Sequence, residues 1–294
     1  MRLTEEQLRF FDTFGFLKFP GLFAPEADKI IERFEKIWTD HGGGHFGRPH
    51  DHERRSALIQ FIDRDEYLSS LIDDPRLDEM VSSLLGDDYN YAGSDGNYYV
   101  GDTRWHSDHG GMFKQFNAGG KYTSVKLALY LDPVTRDTGC LRVIPGSHRE
   151  GDIYADALQE MVRVSGDTHD RSPSEELWGI AGSEVPAVAL ETYPGDVAMF
   201  NHKTKHSSWG GSDRRRMFTI NYEHRYDEDD LDALRVKMAQ LTTQKGVERI
   251  YEDTIVNTAG PGRMRHLEQR LANDGHMQEM ARKARSDMEE PSSR

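Results

Sequence analysis

The sequence predicts a mainly β protein whose central sandwich or barrel is flanked by helices at both ends. Between about residues 87 and 225, short β-prone runs alternate with turn residues, which is typical of an all-β core. Amphipathic runs precede this core over about residues 1–86 and follow it over about residues 226–294. The chain has no internal repeat and no Pro- or Ser-rich linker, so we expect its 294 residues to form one domain.

The composition excludes several classes of protein. The formal net charge is −14, which disfavours nucleic-acid binding because phosphates attract Lys and Arg. Cys140 is the only cysteine, so there is no internal disulfide and a reducing compartment is favoured. The N-terminal residues lack a signal-peptide pattern, and no apolar run approaches the ~20 residues of a membrane span. We therefore expect a cytoplasmic protein with no nucleic-acid or membrane partner.

The first 86 residues carry the signals of helices around one short strand. Thr4-Glu5-Glu6-Gln7 has the capping-box pattern that begins a helix, and Gly15 is placed to end that helix. The run 16–19 is β-prone and stops at a Pro-Gly pair. Two more helices are expected, one beginning at Pro25 and one running from Pro75 to Gly86.

The loop over residues 41–55 is polar and glycine-rich and contains His41, His45, His50 and His52. Flexible glycines and the lack of cysteine disfavour a dedicated metal site in this loop. Long loops with glycine hinges often close over active sites. We therefore expect this loop to be a lid.

The central region divides into seven candidate strands, with inserts at about residues 110–120 and 153–179. The candidate strands are Asn97–Val100, Thr103–Ser107, Ser124–Leu131, Cys140–Ile144, Val185–Ala189, Asp196–Phe200 and Met217–Tyr222. After Tyr222 the chain becomes polar and helical. We expect these C-terminal helices to pack on the β core or to form the contacts of a homodimer.

His106 and Asp108 are the first pair of candidate metal ligands. In a strand, residues two apart point to the same face, so this imidazole and this carboxylate can reach one point. A buried histidine hydrogen-bonded to a nearby carboxylate is the structural alternative. A third ligand from His202 or His206 would complete a 2-His-1-carboxylate set, which binds Fe(II) and leaves positions for other ligands.

An arginine downstream of these histidines would have a role in binding if the iron uses an oxo-acid cosubstrate. The far carboxylate of such a cosubstrate needs a fixed cation, and arginine supplies two parallel hydrogen bonds. Within Arg214-Arg215-Arg216, strand alternation favours Arg216, because it shares a face with the apolar residues Phe218 and Ile220. A solvated, charged strand edge is the alternative for the whole run.

These residues resemble the motifs of the phytanoyl-CoA dioxygenase family of Fe(II)/2-oxoglutarate oxygenases. The similar segments, in order along the chain, are residues 14–23, Trp105-His106-Ser107-Asp108, residues 137–149, the run from Gly195-Asp196 to His206, and Arg216. The resemblance covers roughly residues 8–225. The resemblance selects His206 over His202 as the third metal ligand. The spacing from His206 to Arg216 is one residue shorter than the family pattern, so Arg215 remains an alternative for the arginine that binds the cosubstrate.

The resemblance implies a double-stranded β-helix, or jelly-roll, core of the cupin-like type. It also implies Fe(II) on His106, Asp108 and His206, with 2-oxoglutarate and O₂ as cosubstrates. Because Asp108 occupies the carboxylate position, hydroxylation of a small molecule is expected rather than halogenation. Ectoine as the substrate is not supported, because the aromatic-rich continuation of the ectoine hydroxylases is absent.

Other positions are weaker candidates. Ser124, Asn97 and Tyr99 are expected to contact 2-oxoglutarate, and His109 and Trp209 to face the substrate. The alternatives to hydroxylation are a 2-oxoglutarate-dependent desaturase or cyclase, a metalloenzyme that does not use 2-oxoglutarate, and a binding module without activity.

Overall fold

The computed structural model describes residues 1–41, 50–108, 121–149, 151, 179–245 and 247–286. Within them, two antiparallel β-sheets carry helices on the outside, which confirms the predicted fold class. The larger sheet has six strands in the order β1-β8-β5-β10-β3-β2, and the smaller has four in the order β4-β9-β6-β7. The strands are β1 (Phe16–Phe19), β2 (Ser56–Ile59), β3 (Asn90–Tyr99), β4 (Thr103–His106), β5 (Ser124–Tyr130), β6 (Leu141–Val143), β7 (Val188–Leu190), β8 (Val197–Asn201), β9 (His206–Ser208) and β10 (Arg215–Glu223).

Eight α-helices are found in the described part of the chain, four before β3 and four after β10. They are α1 (Glu5–Phe14), α2 (Ala27–Asp40), α3 (Glu66–Ser69), α4 (Pro75–Leu85), α5 (Leu231–Lys245), α6 (Asp253–Asn257), α7 (Pro261–Leu271) and α8 (Met277–Ser286). None of the helices in these ranges is long and apolar enough to cross a membrane.

The helix signals near the N-terminus are confirmed. The Thr4 hydroxyl accepts the Gln7 amide N–H at 3.2 Å, and the Gln7 side chain accepts the Thr4 N–H at 2.9 Å, so the capping box is complete. Gly15 ends α1 with φ 83°, a left-handed conformation that favours glycine. Asp74 caps α4, and Pro75 occupies its first turn.

The main hydrophobic core lies between the outer face of the larger sheet and the helices. Phe218, Ile220 and Tyr222 of β10 belong to it, together with Phe34 of α2 and Leu77 of α4. The other face of the same strand contributes Met217 to a second cluster on the inner side. Both faces of β10 are therefore buried, and the space between the two sheets is free to hold a site.

Two strands differ from the sequence-based expectation. His206–Ser208 forms β9, and Ser56–Ile59 forms β2 at the edge of the larger sheet, and neither is among the predicted strands. β3 also begins at Asn90, seven residues before its predicted start. The new strands are three and four residues long, so too few positions alternate to give a clear pattern.

The C-terminal helices pack onto the chain's own sheet. α7 contacts β3, and its Arg270 forms an ion pair of 3.0 Å with Glu223 at the end of β10. Lys237 of α5 pairs with the same carboxylate at 2.5 Å. Packing on the core, the first of the two expected roles, is what these contacts show, and a homodimer contact remains a prediction.

Candidate metal centre

Three side chains form a cluster with the donor atoms of a metal site. One ligand atom of each of His106, Asp108 and His206 lies within 4.8 Å of the others. His106 ends β4 and His206 begins β9, and the two residues are direct partners in the antiparallel register. Asp108 lies just beyond the end of β4, in a turn where its backbone N–H donates to the His202 carbonyl at 3.0 Å.

Backbone hydrogen bonds fix both histidine rings in the form that binds metals. Nδ1 of His106 lies 2.7 Å from the Arg104 carbonyl, and Nδ1 of His206 lies 2.9 Å from the Thr204 carbonyl. A carbonyl only accepts, so Nδ1 carries the hydrogen and Nε2 keeps its lone pair. Each Nε2 lies 3.8–3.9 Å from an Asp108 oxygen.

The protonation states of the cluster suit a cation. Burial lowers the pKa of His106, and it lowers the pKa of His206 to about 3, so both rings are neutral at physiological pH. Burial alone would raise the pKa of Asp108, but the nearby Lys126 ammonium holds it well below its ordinary value. Two neutral imidazoles and one carboxylate are therefore ready to bind without releasing a proton.

The cluster lies at the wall of a cavity of about 500 Å³ between the two sheets. Side chains from both sheets line it, and charged residues alternate with apolar ones. The lining residues are Arg55, Ala57, Ile59, Asp95, Tyr99, Thr103, His106, Asp108, Lys126, Ala128, Tyr130, Leu141, Phe200, His206, Ser207, Ser208, Arg215, Met217 and Thr219.

Arg215 is the buried cation of this cavity. It is 2% exposed, and its guanidinium lies 5.1 Å from the centre of the Tyr99 ring. Among the described residues its side chain has one hydrogen bond, a long one of 3.5 Å from Nη1 to the Gly101 carbonyl, and its Nε has no partner there. Within the described ranges no carboxylate pairs with it. A buried guanidinium without a counter-ion is costly, so the site is built for an anionic ligand.

The predicted orientation of Arg216 is wrong. Arg216 points to the opposite side of β10, where its guanidinium pairs with Asp132 at 2.5 Å and with Glu35 of α2 at 2.8 Å. The expectation assumed that the apolar face of β10 is the inner one. In the structure that face packs against the helices, and the odd-numbered residues Arg215, Met217 and Thr219 line the cavity.

Of the three residues predicted to contact the cosubstrate, one lines the cavity and two do not. Tyr99 lines the cavity, whereas Asn97 and Ser124 do not. Asn97 lies behind the wall, where its Oδ1 accepts the Arg55 Nη2 at 2.6 Å and its Nδ2 donates to Asp95 at 2.5 Å. Ser124 is buried at the start of β5 with its hydroxyl unpartnered in the described part of the chain.

The structure also describes two of the three remaining candidate residues, Trp209 and His202, and neither lines the cavity. Trp209 does not line the cavity but packs on an outer cluster with Trp105, and its Nε1 donates to Ser207 at 2.9 Å. The prediction for His109 lies outside the described residues. The Nε2 of His202 lies 3.1 Å from the Asn221 side-chain oxygen, and His202 is not part of the metal cluster.

The expected lid is described only in part. Residues 42–49 lie outside the described residues, and the lid role remains a prediction. At its end, His50 stacks on Tyr98 with ring centres 5.0 Å apart, and Arg55 reaches the cavity wall.

The sequence-based search missed three charged residues of the cavity: Arg55, Asp95 and Lys126. Lys126 could have been predicted from the sequence, since it is the only charged residue of the mainly apolar strand β5. The Lys126 ammonium lies 2.8 Å from an Asp108 oxygen, and this side chain is 15% exposed.

The comparisons with known proteins agree with this fold. The family model for phytanoyl-CoA dioxygenase (PhyH) matches residues 11–218. Comparison with functionally curated proteins gives no significant match. Among solved structures, HygX from Streptomyces hygroscopicus with nickel and 2-oxoglutarate bound is 18% identical, with a TM-score of 0.58 over 77% of this chain and 89% of that one.

Two further solved structures have the same fold. EctD from S. alaskensis with 2-oxoglutarate and 5-hydroxyectoine is 22% identical, with a TM-score of 0.53 over 76% of each chain. The α-ketoglutarate-dependent carbocyclase SnoK from nogalamycin biosynthesis is 20% identical, with a TM-score of 0.54 over 76% of this chain and 84% of that one. At these identities the likeness shows the fold.

The fold is that of a jelly-roll protein, and a cluster that could hold one metal ion lies between its two sheets. The family match covers well over half of the 294 residues. The chain belongs to the phytanoyl-CoA dioxygenase family and is thus an Fe(II)/2-oxoglutarate-dependent oxygenase.

Proposed function

We propose that this oxygenase hydroxylates an unactivated C–H bond of a small molecule and converts 2-oxoglutarate to succinate and CO₂. One observation carries the proposal: the cluster of His106, Asp108 and His206 shares its cavity with Arg215, a buried cation that has no carboxylate partner in the described ranges. A metal site and a separate anion site in one cavity match the two ends of an oxo-acid.

The cluster fits Fe(II). Two imidazole nitrogens and one carboxylate form the 2-His-1-carboxylate donor set of non-haem Fe(II) oxygenases, which leaves positions for other ligands. The fixed tautomers of His106 and His206 present the two Nε2 atoms to the common point. These three residues would hold the metal, and the cavity gives the cosubstrate and the substrate access to it.

Arg215 fits the far carboxylate of 2-oxoglutarate. The keto-acid end of this molecule belongs at the metal, and the second carboxylate needs a cation a short distance away. A guanidinium binds a carboxylate through two parallel N–H donors, which fixes orientation as well as charge. In the structure Arg215 is buried and lacks such a carboxylate within the described ranges, so a bound cosubstrate would supply its counter-ion.

Fe(II) held by His106, Asp108 and His206 would supply the redox chemistry with O₂. The protein positions the reactants and excludes water. Phe200, Leu141 and Met217 give the cavity an apolar wall near the metal ligands, and Arg215 holds the cosubstrate in one orientation. The Asp108 carboxylate fills the third protein position and leaves no room there for a halide, which favours hydroxylation.

The test is a measurement of succinate. We expect the purified protein to release succinate from 2-oxoglutarate only with both Fe(II) and O₂, and a substrate from a compound panel to stimulate this release. An Asp108→Ala variant should release none above background. Failure of the Fe(II)-loaded wild-type protein to bind 2-oxoglutarate would overturn the proposal. The mass of the product distinguishes hydroxylation from desaturation or cyclisation.

A further inference from the structure

Behind the metal cluster, a buried lysine and a buried serine connect the two chain segments that carry its ligands. Lys205 immediately precedes His206, and Ser107 lies between His106 and Asp108. The Lys205 Nζ donates a hydrogen bond to the Ser107 Oγ at 3.0 Å. Lys205 is 1% exposed and Ser107 is 5% exposed, so this hydrogen bond lies inside the protein.

The register of the smaller sheet explains the position of this hydrogen bond. His106 and His206 are direct partners in the antiparallel strands β4 and β9, at the end of the ladder. Ser107 and Lys205 are the next residues beyond that pair, so their side chains join the two segments just past the ladder. Neighbouring residues of an extended chain point to opposite sides, and neither Ser107 nor Lys205 lines the cavity. The hydrogen bond therefore supports the metal ligands from the side away from the cavity.

The ladder between β4 and β9 is short and irregular where the ligands lie. β4 has four residues and β9 has three, and their register shifts between Thr103 and His106. Beyond His106 the backbone turns away from β9, since the Asp108 N–H donates to the His202 carbonyl at 3.0 Å. A side-chain hydrogen bond at this point therefore fixes the distance between the segment of His106 and Asp108 and the segment of His206.

The backbone of Lys205 is itself held by the turn that follows β6, within the segment 137–149 that resembles a family motif. The Lys205 N–H donates to the Ser147 Oγ at 2.8 Å, and the Lys205 carbonyl accepts the Ile144 N–H at 2.9 Å. The Ser147 hydroxyl in turn donates to the Ile144 carbonyl at 2.7 Å. Because both of its backbone groups are bound, Lys205 is a fixed point from which its side chain holds Ser107.

We infer that Lys205 and Ser107 are positioning residues, whose hydrogen bond sets the spacing of the metal ligands. The inference rests on the proposed function, because it concerns the same metal site. Removal of groups that orient metal ligands without touching the metal typically weakens metal binding about 10–100-fold. Without the hydrogen bond, the segment of Ser107 would be released from Lys205, and His106 and Asp108 would no longer be fixed relative to His206.

Co(II) binding to the metal-free protein tests the inference without turnover. Calorimetry gives the affinity, and the visible absorption of bound Co(II) reports the geometry of its ligands. The variants are Ser107→Ala, Lys205→Met and the double variant that combines them. Ser69→Ala is the matched control, because the buried Ser69 hydroxyl donates to the Ile62 carbonyl at 2.8 Å and does not line the cavity.

We expect each single variant to bind Co(II) at least about tenfold more weakly than the wild-type protein, with an altered visible spectrum. The double variant should lose less than the product of the two single losses, because both changes remove the same hydrogen bond. Ser69→Ala should keep the wild-type affinity and spectrum. Wild-type affinity in both single variants would overturn the inference. So would a loss in the double variant equal to that product, because the two residues would then act independently.

Ser107→Thr provides a second measurement if Lys205→Met does not fold. Threonine keeps a hydroxyl that can accept from Lys205, so Ser107→Thr should retain most of the Co(II) affinity that Ser107→Ala loses. Equal losses in these two variants would overturn the inference, because the hydroxyl would then not be the group that matters. A wild-type protein that binds no Co(II) contradicts the proposed function itself, whereas wild-type binding that Ser107→Ala leaves unchanged contradicts only the inference.

Discussion

Arg215 and Arg216 are neighbours in β10 but face opposite sides of the sheet. Arg216 has two carboxylate partners, Asp132 and Glu35, on the side of the helices. Arg215 has none in the described ranges and lies in the cavity that holds the metal cluster. The two residues have the same chemistry, so the difference between their environments is what supports the proposed cosubstrate role of Arg215.

The stabilities of two variants should reflect this difference. Arg215→Met removes a buried charge without a counter-ion, so we expect the free energy of unfolding of the metal-free protein to stay the same or to rise. Arg216→Met leaves Asp132 and Glu35 without their cation and should lower that free energy by about 1 kcal/mol, since the pair is partly exposed.

Urea unfolding of both proteins checks this prediction. A marked loss of stability in Arg215→Met would contradict it, because Arg215 would then have a partner in the folded chain and a structural role.

The residues predicted from sequence were those with a fixed local spacing. The pair His106 and Asp108 was visible because the two residues are only two positions apart in the sequence. Lys126 and Asp95 were missed because they reach the cavity from separate strands, β5 and β3, with β10 lying between them. Only the sheet order brings such residues together, and a single sequence does not state it.

At the scale of the element, β10 shows why strand alternation gave the wrong arginine. Alternation tells which residues share a face, and it placed Arg216 correctly with Phe218 and Ile220. It does not tell which of two buried faces borders the cavity. The helices cover the apolar face, so the face with Arg215 and Thr219 is the one that borders the cavity.

The loop before β6 approaches Arg215 so closely that only glycine fits. A Cβ at Gly139 would lie 1.8 Å from the Arg215 Nη1, and the φ of Gly139 is 91°. Gly139→Ala should therefore displace the guanidinium and weaken 2-oxoglutarate binding at least tenfold. The strained backbone should also reduce the free energy of unfolding by about 1–3 kcal/mol.

Gly93→Ala is the matched control for this prediction. Gly93 has φ 110° but nothing within 4 Å of its Cβ position, so the variant carries backbone strain without a clash. We expect a similar loss of stability with unchanged 2-oxoglutarate affinity by calorimetry. Equal affinities in the two variants would show that the close approach at Gly139 does not position Arg215.

At the scale of the molecule, helices from both ends of the chain cover the outer face of the larger sheet and leave the space between the two sheets for the cavity. The sequence predicted this division of strands and helices, because apolar periodicity follows local structure. The positions of the C-terminal helices were not predictable. They depend on contacts between residues far apart in the chain, such as Arg270 with Glu223 and Arg263 with Asp73.

The helical layer also contains a buried acid that should make stability depend on pH. Asp63 is fully buried, and its Oδ1 accepts the Tyr91 hydroxyl at 2.5 Å. Burial raises the pKa of Asp63 to about 6, above its value of about 4 in the unfolded chain. The folded protein therefore favours the protonated form, and it loses stability as the pH rises through about 6.

Asp63→Asn removes this dependence. Relative to the variant, the wild-type protein should lose about 2 kcal/mol of unfolding free energy between pH 4.5 and 7.5, since each pKa unit is worth about 1.4 kcal/mol. Urea unfolding of both proteins across this range measures the difference. A difference that is constant with pH would contradict the raised pKa of Asp63.

The most direct test of the central claim is an anaerobic titration of the Fe(II)-loaded protein with 2-oxoglutarate, followed by the visible charge-transfer absorption of the complex. We predict that the wild-type protein and Arg216→Met bind with the same affinity. Arg215→Met should bind at least about 30-fold more weakly, because loss of one partner from a buried charge pair costs about 2 kcal/mol or more. Equal binding by Arg215→Met and the wild-type protein would contradict the assignment of this cavity as the 2-oxoglutarate site.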